Sequence, residues 1–221
     1  MNMQTNNTPA DFPIFLRLAG QRVVIVGGGQ VALRKLRRVL RSGAQAELVA
    51  NRLHADVAAL VAQGQARHVA EQFQPQQLDG CVFVFAATDN TTLNARVAEA
   101  AKQRGIFVNV VDNAQLSSAI SPAIVDRTPV TIAVSSGGTA PVLARRLRED
   151  IERRLPAELG ALARFIGRTR GYIKNRLPQP ARRLLWERFL DSSGADAVLQ
   201  GDRARGAATL AALAGDAVNR A

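Results

Sequence analysis

The stretch Val23-Val24-Ile25-Val26-Gly27-Gly28-Gly29-Gln30-Val31-Ala32 decides the fold. Four consecutive apolar residues read as a strand buried on both faces, and they break directly into glycines that open a basic helical segment, Val31 to Arg41. The spacing Gly27-x-Gly29-x-x-Ala32 is the G-x-G-x-x-A form of the dinucleotide fingerprint. Gly27 suits the tight turn, Gly29 leaves the main chain open to a pyrophosphate, and Ala32 allows close packing of helix on strand. Gly28, Gln30 and Val31 complete a turn whose amides face the phosphates at a helix start. The helix shows Val31, Leu36, Val39 and Leu40 at roughly helical spacing, and Gly43 stands where a C-terminal cap belongs.

The same alternation continues downstream. Ala46–Val49, Arg67–Ala70, Val82–Ala86 and Ile106–Val111 read as strands, and Ala55–Ala62 and Thr91–Arg104 as helices, the latter capped by Asn90 or Thr91 and stopped by Gly105. Strands alternating with helices imply an α/β fold, a Rossmann-like doubly wound parallel sheet with ligands gathered beyond the carboxyl ends of its strands. Three such ends are polar: Gly27 to Gln30, Thr88-Asp89-Asn90, and Asn109 with Asp112. They are expected to converge on one crevice. The second strand ends Val49-Ala50-Asn51-Arg52 with no acidic residue at its tip for ribose hydroxyls, and Glu47 lies inside the strand.

Past Asp112 the pattern changes. Ala123–Asp126 and Pro129–Val134 read as two short strands around a turn, followed by Ser135-Ser136-Gly137-Gly138-Thr139-Ala140-Pro141 and a helix from Val142 to Leu155. Pro141 suits a first helical turn and Thr139 is the expected cap, which makes this a second anion-friendly helix start. Helical periodicity resumes at Ala157 with Pro156, Pro178 and Pro180 as breaks, and Arg203–Ala221 reads as a loosely docked helix or frayed linker. The division is 1–113 for the dinucleotide domain, 114–155 for a small α+β module and 156–221 for a helical C-terminal region.

With 221 residues and 47% hydrophobic content the chain can bury a proper core. No apolar run reaches the about 20 residues that span a bilayer, and Met1 to Asp11 is polar, so a cytoplasmic protein with no membrane association is expected. Cys81, in an apolar stretch, reads as a buried small hydrophobe. His54 and His68 lack Cys or carboxylate partners at ligand spacing, so no permanent metal site is expected. The net charge is +11, and Arg145 to Arg183 carries 12 Lys or Arg against 4 Asp or Glu. Such a field concentrates anions, whether nucleic acid, a membrane surface or a polycarboxylate, unless it is simply a solvated helix surface. One Trp and one Tyr supply no stacking motif, which argues against a nucleic-acid partner.

The fingerprint, Ala86-Ala87-Thr88-Asp89, Asn109-Val110-Val111-Asp112 and the segment Val134 to Arg145 together resemble the N-terminal half of siroheme synthase, from about Leu16 to about Phe189. The resemblance implies NAD-dependent oxidation of precorrin-2 to sirohydrochlorin, then insertion of ferrous iron, a substrate rather than a resident ion, to give siroheme. It also implies a homodimer built largely by the region after Asp112, hence a dimerisation role for 114–155. The sequence ends before any methyltransferase domain, so that activity is not expected.

A tetrapyrrole bearing many carboxylates gives the basic balance a use. Asp112 matches the family's catalytic aspartate and is the candidate general base for both steps, with partial burial just past a strand tuning it; otherwise it caps the following turn. Asn51 and Arg52 match the family's ribose-proximal positions; the cofactor is NAD on family grounds, although Arg52 is also suited to a 2′-phosphate. Thr88, Asp89 and Asn109 are further cofactor candidates, with helix capping the competing role for Asp89. Ser136, Gly137, Gly138 and Thr139 are substrate candidates, or Ser136 only satisfies local amides; a phosphate on its hydroxyl would occupy the helix end and repel substrate carboxylates. A regulatory domain that binds NAD without chemistry, and a nucleic-acid binder using the basic stretch, are the competing functions.

Overall fold

The computed structural model describes residues 11–218, so residues 1–10 of the polar start and residues 219–221 of the alanine-rich end lie outside the described residues. The chain divides into two compact units, one ending at Ser121 and the other beginning at Pro122.

In the first unit, β1 (Arg22–Val26), β2 (Gln45–Val49), β3 (Ala66–Ala70), β4 (Phe83–Ala86) and β5 (Phe107–Val110) form one sheet in the order β3-β2-β1-β4-β5. All pairings are parallel, with Val26 level with Val49 and with Ala86. The crossover from β3 back past β1 to β4 puts the topological switch between β1 and β4.

Helices α1 (Gln30–Arg41) and α2 (Ala55–Ala62) cover one face, where Val23, Ile25, Leu48 and Phe83 pack with Leu33, Leu36, Val39 and Val57. Helix α3 (Thr91–Gln103) and a 3₁₀ turn (Pro75–Leu78) cover the other, where Val24, Val26, Val84 and Val108 meet Val97, Ala101 and Leu78. Successive residues of a strand point to opposite faces, so a run that is apolar throughout serves both layers. Glu47 is a buried carboxylate in this sheet; Arg22 donates to it at 2.7 Å and Arg67 at 3.3 Å. Cys81 is buried, as expected, and burial pushes its thiol above the usual range.

The first unit runs past residue 113 because the following segment returns along β5. Ser118 Oγ accepts the Val108 amide at 2.9 Å, Ser117 Oγ accepts the Val110 amide at 2.9 Å, and Ala119 N–H donates back to the Val108 carbonyl. These bonds satisfy donors that an edge strand would otherwise leave open.

In the second unit, β6 (Ala123–Arg127) and β7 (Val130–Val134) form an antiparallel pair with α4 (Pro141–Arg154) packed along it. Arg127 donates to Glu152 at 3.1 Å, and with Arg148 it holds the Glu152 carboxyl below its ordinary range. Helices α5 (Leu159–Lys174), α6 (Gln179–Leu190), α7 (Ser193–Leu199) and α8 (Arg203–Val218) enclose a core around Leu162, Phe165, Ile173 and Phe189. Pro180 sits in the first turn of α6 instead of breaking a helix, a position that needs no proline N–H. The expectation of a loose or frayed end is overturned for 203–218. Gly206, Leu210 and Ala214 of α8 are buried, and the approach to α7 is close enough that a Cβ at Gly206 would stand 2.3 Å from Val198 Cγ2.

Candidate dinucleotide cleft and neighbouring acid

At the end of β1, Gly27 adopts φ +124, and a Cβ there would stand 2.2 Å from the Ala87 carbonyl oxygen. Only glycine permits both the conformation and the approach. A Cβ at Gly28 would meet the Arg52 carbonyl oxygen at 2.1 Å, so the loops after β1, β2 and β4 lie against one another at the switch point. Gly29 is the N-cap of α1 and has open space on its Cβ side. No side chain caps the helix and no acid lies in its first turn. Its first amides have no intrahelical acceptor, which leaves a glycine cradle suited to a pyrophosphate.

A cleft of about 1020 Å³ opens above this turn. Gly27, Gly28, Gly29, Gln30 and Val31 line it together with Asn51, Arg52, His54, Glu71, Thr88, Asp89 and Arg96. Two of the three polar strand ends therefore meet. Asn90, not Asp89, caps α3, its Oδ1 accepting the Leu93 amide at 2.9 Å, so Asp89 has no capping role. Thr88 Oγ1 donates to the buried Asn94 at 2.7 Å, a bond that fixes the loop beneath the rim.

The third end is separate from this cleft lining. Asn109 is buried on the α1 face of the sheet, where its Oδ1 accepts Lys35 Nζ at 3.1 Å and its Nδ2 donates to the Ala119 carbonyl at 3.0 Å. Sequence reasoning missed Lys35, whose Nζ also donates to Ser121 Oγ at 2.8 Å and lies 5.2 Å from the Phe85 ring centroid. Burial lowers the Lys35 ammonium to about 8, helped by Arg38 and Arg34 and opposed by Asp112. The available signal was its place on the row Val31, Lys35, Val39, a cation at i+4 between two inward positions.

Asp112 follows β5 with φ 56, an unusual conformation for a residue with a side chain. It is exposed rather than partly buried, because the return toward Ser117 begins immediately after it. Its carboxylate has no hydrogen bond or ion pair among the described residues. The turn is instead capped by Asn113, whose Oδ1 accepts the Leu116 amide at 3.0 Å, so the capping role considered for Asp112 belongs to its neighbour.

In the second unit, Ser136 Oγ accepts the Ala140 amide at 3.1 Å, and Thr139 Oγ1 donates to the Ser136 carbonyl at 2.6 Å. Thr139 therefore does not cap α4, because its hydroxyl is turned back into the loop. Gly137 and Gly138 carry φ 61 and 79 and allow this tight reversal. Part of the basic stretch is paired: Arg148 with Glu149 and Glu152, Arg153 with Asp150, and Arg183 with Glu187.

His54 caps α2 through Nδ1, and His68 Nε2 lies 2.8 Å from the Ala50 carbonyl, so both histidines serve local structure. No helix among the described residues is long and apolar enough to cross a membrane.

Comparison with known proteins gives this geometry a context. An NAD(P)-binding family model matches residues 14–123, the sirohaem biosynthesis protein central model matches 127–154, and the sirohaem synthase dimerisation region matches 158–214. The dimerisation description thus falls on α5 to α8, whereas the division drawn from sequence attaches pairing to 114–155. Siroheme synthase of Chromobacterium violaceum is 48% identical over 194 residues, covering 87% of this chain and 41% of that protein. Siroheme synthase 3 of Aeromonas hydrophila is 49% identical over 197 residues, covering 87% and 42%. The chain spans less than half the length of these curated relatives. A solved structure named SirC, precorrin-2 dehydrogenase, shares the fold, with a TM-score of 0.72 and 23% identity over 87% of this chain and 98% of that one. Matched in order along its length by the three models and by these relatives, the chain belongs to the siroheme synthase family, over that family's N-terminal portion.

Proposed function

We propose that the chain oxidises precorrin-2 to sirohydrochlorin with NAD and then inserts ferrous iron to give siroheme. The observation that carries the reading is a glycine cradle for a dinucleotide on the same sheet as an exposed carboxylate, Asp112, held in a constrained conformation without a partner of its own. The relatives named siroheme synthase and the structure named precorrin-2 dehydrogenase support the substrate class.

When bound, the nicotinamide supplies the hydride acceptor for the oxidation. Gly27 to Val31 anchor the pyrophosphate through main-chain amides, and Asn51 and Arg52 take the adenosine side. Thr88 and Asp89 line the same cleft toward the reacting half. Asp112 accepts the proton that leaves the macrocycle as its hydride departs, so one precorrin-2 and one NAD give sirohydrochlorin, the reduced cofactor and one proton. In the second step it accepts pyrrole protons as iron, the other substrate, takes their place. Ser136, Gly137, Gly138 and Thr139, at the start of α4, are the proposed contacts for substrate carboxylates. The working form is a homodimer built by the second unit, where Val142, Leu143 and Leu147 of α4 stand exposed at 61%, 54% and 45%.

Anaerobic incubation with precorrin-2, NAD and ferrous iron, followed by absorbance, tests the reading. Sequential appearance of sirohydrochlorin and siroheme is expected. Cofactor binding without turnover would instead identify an NAD sensor, and equal turnover with NADP would overturn the NAD preference that Arg52 leaves open.

A further inference from the structure

Lys35 joins elements that the sheet alone does not join. From α1 it reaches Asn109 in β5 and Ser121 at the end of the return segment, while Phe85 of β4 lies beneath its ammonium. Ser121 Oγ donates to the same Asn109 oxygen at 3.2 Å, so the three polar groups close on one another. The loop that carries Asp112 leaves β5 at Val110 and is tied at Asn109 on one side and Ser121 on the other. Between these ties the Val111 amide donates to the Ala86 carbonyl, the Asn113 amide to the Val110 carbonyl and Ser117 Oγ to the Asn113 carbonyl, while Asp112 has no hydrogen bond of its own and keeps φ 56, so its placement is set by the loop that carries it.

The charges acting on the Lys35 ammonium are Arg34 and Arg38 of its own helix, which disfavour it, and Asp112, which favours it. An apolar side chain on the row of Val31 and Val39 would cover Phe85 without the cost of desolvating a charge. A half-buried cation there, bonded to Asn109 and Ser121 and favoured by the charge of the one carboxylate assigned to proton transfer, has a use other than packing.

We propose that Lys35 is the positioning residue of Asp112: its charge-assisted bonds to Asn109 and Ser121 clamp both ends of the loop that presents the acid. This rests on the reading of Asp112 as the proton acceptor. Hydrogen bonds from a charged donor are roughly twice as strong as those from a neutral one, so loss of the Lys35 proton slackens the clamp. Turnover therefore declines as pH rises through about 8, where burial has brought this ammonium.

The test follows NADH formation from precorrin-2, from neutral pH to well above 8, in the parental chain, Lys35→Arg and Lys35→Met. The parental kcat is expected to fall along a limb near pH 8. Lys35→Arg should keep most of kcat and lose that limb, since guanidinium stays charged. Lys35→Met should lose about tenfold or more in kcat with KM for NAD unchanged, as misplacement of a reacting group does. An unmoved limb in Lys35→Arg, failure of Arg to sustain kcat, or parental kcat in Lys35→Met overturns the proposal. NAD binding reports whether each variant is folded, and if Lys35→Met is not, the Arg variant decides. Asp112→Asn separates the two levels. Undiminished turnover there sinks the acid's assignment and Lys35 with it, while lost turnover there beside unaltered Lys35 variants sinks Lys35 alone.

Discussion

Gly27 and Ala87 approach so closely that a single added carbon on Gly27 would stand 2.2 Å from the Ala87 carbonyl oxygen. The contact joins β1 to β4 across the switch point and sets the width of the cofactor turn. Gly27→Ala is therefore expected to cost about 1–3 kcal/mol from the positive φ and the overlap together. It should also remove most NAD affinity. Chemical denaturation and calorimetric NAD titration check both, and a variant of unchanged stability and affinity would show that the turn does not need this approach.

Asp112 carries the proton-transfer assignment, and its exposed, unpaired carboxylate can be altered without removing a structural bond. Asp112→Asn is expected to reduce precorrin-2 oxidation by about 10²-fold or more while leaving NAD affinity within about twofold. Single-turnover absorbance and NAD titration measure the two quantities separately.

The exposed apolar residues of α4 give the proposed dimer a direct test. Leu143, 54% exposed, makes a small contribution to the fold of its own chain. Leu143→Arg should therefore shift sedimentation from dimer to monomer with the melting behaviour of each unit otherwise preserved. A dimer of unchanged affinity would move the interface away from α4 and onto the helices α5 to α8.

Lys35 also predicts a pH dependence of stability whose sign follows from its depressed value. In the folded chain the ammonium titrates near 8, against an ordinary 10.5 in the unfolded chain. Below 8 the folded state bears the full cost of holding the charge. Between 8 and 10.5 the unfolded chain binds a proton that the folded chain does not, so the Lys35 contribution to stability rises with pH across that window. Any advantage of Lys35→Met over the parental chain should shrink over the same interval. Parallel denaturation curves at several pH values read this, and a constant difference would remove the depressed titration.

The parts of the fold that sequence pattern revealed are those where one residue type has one dominant use. Val23 to Val26 and Phe83 to Ala86 are apolar at every position because both sheet faces are covered, and Gly43 takes φ +74 just past α1, where a cap was expected. The parts that stayed hidden depend on partners distant in sequence. Lys35 looks like one more cation on a basic helix until Asn109 and Ser121, far along the chain, are folded onto it. The docking of α8 rests on the row Gly206, Leu210 and Ala214, with Gly206 against Val198, and in an alanine-rich helix so small an inward face stands out little from its neighbours. Asp112 and Asn113 are both suited to cap a turn, and only in the folded chain does Asn113 take the bond while Asp112 is left unbonded.

The serine hydroxyls laid against β5 affect how the molecule behaves in a crowded solution. An open parallel strand is a template on which another chain can add itself, the first step toward fibrous aggregates. Here Ser118 and Ser117 occupy the Val108 and Val110 amides, respectively, with side-chain oxygens, and the short return segment stands where a foreign strand would dock. The sheet is thus terminated by its own chain on that side, and exchanging both serines for alanine would reopen a growth point without touching the cofactor turn.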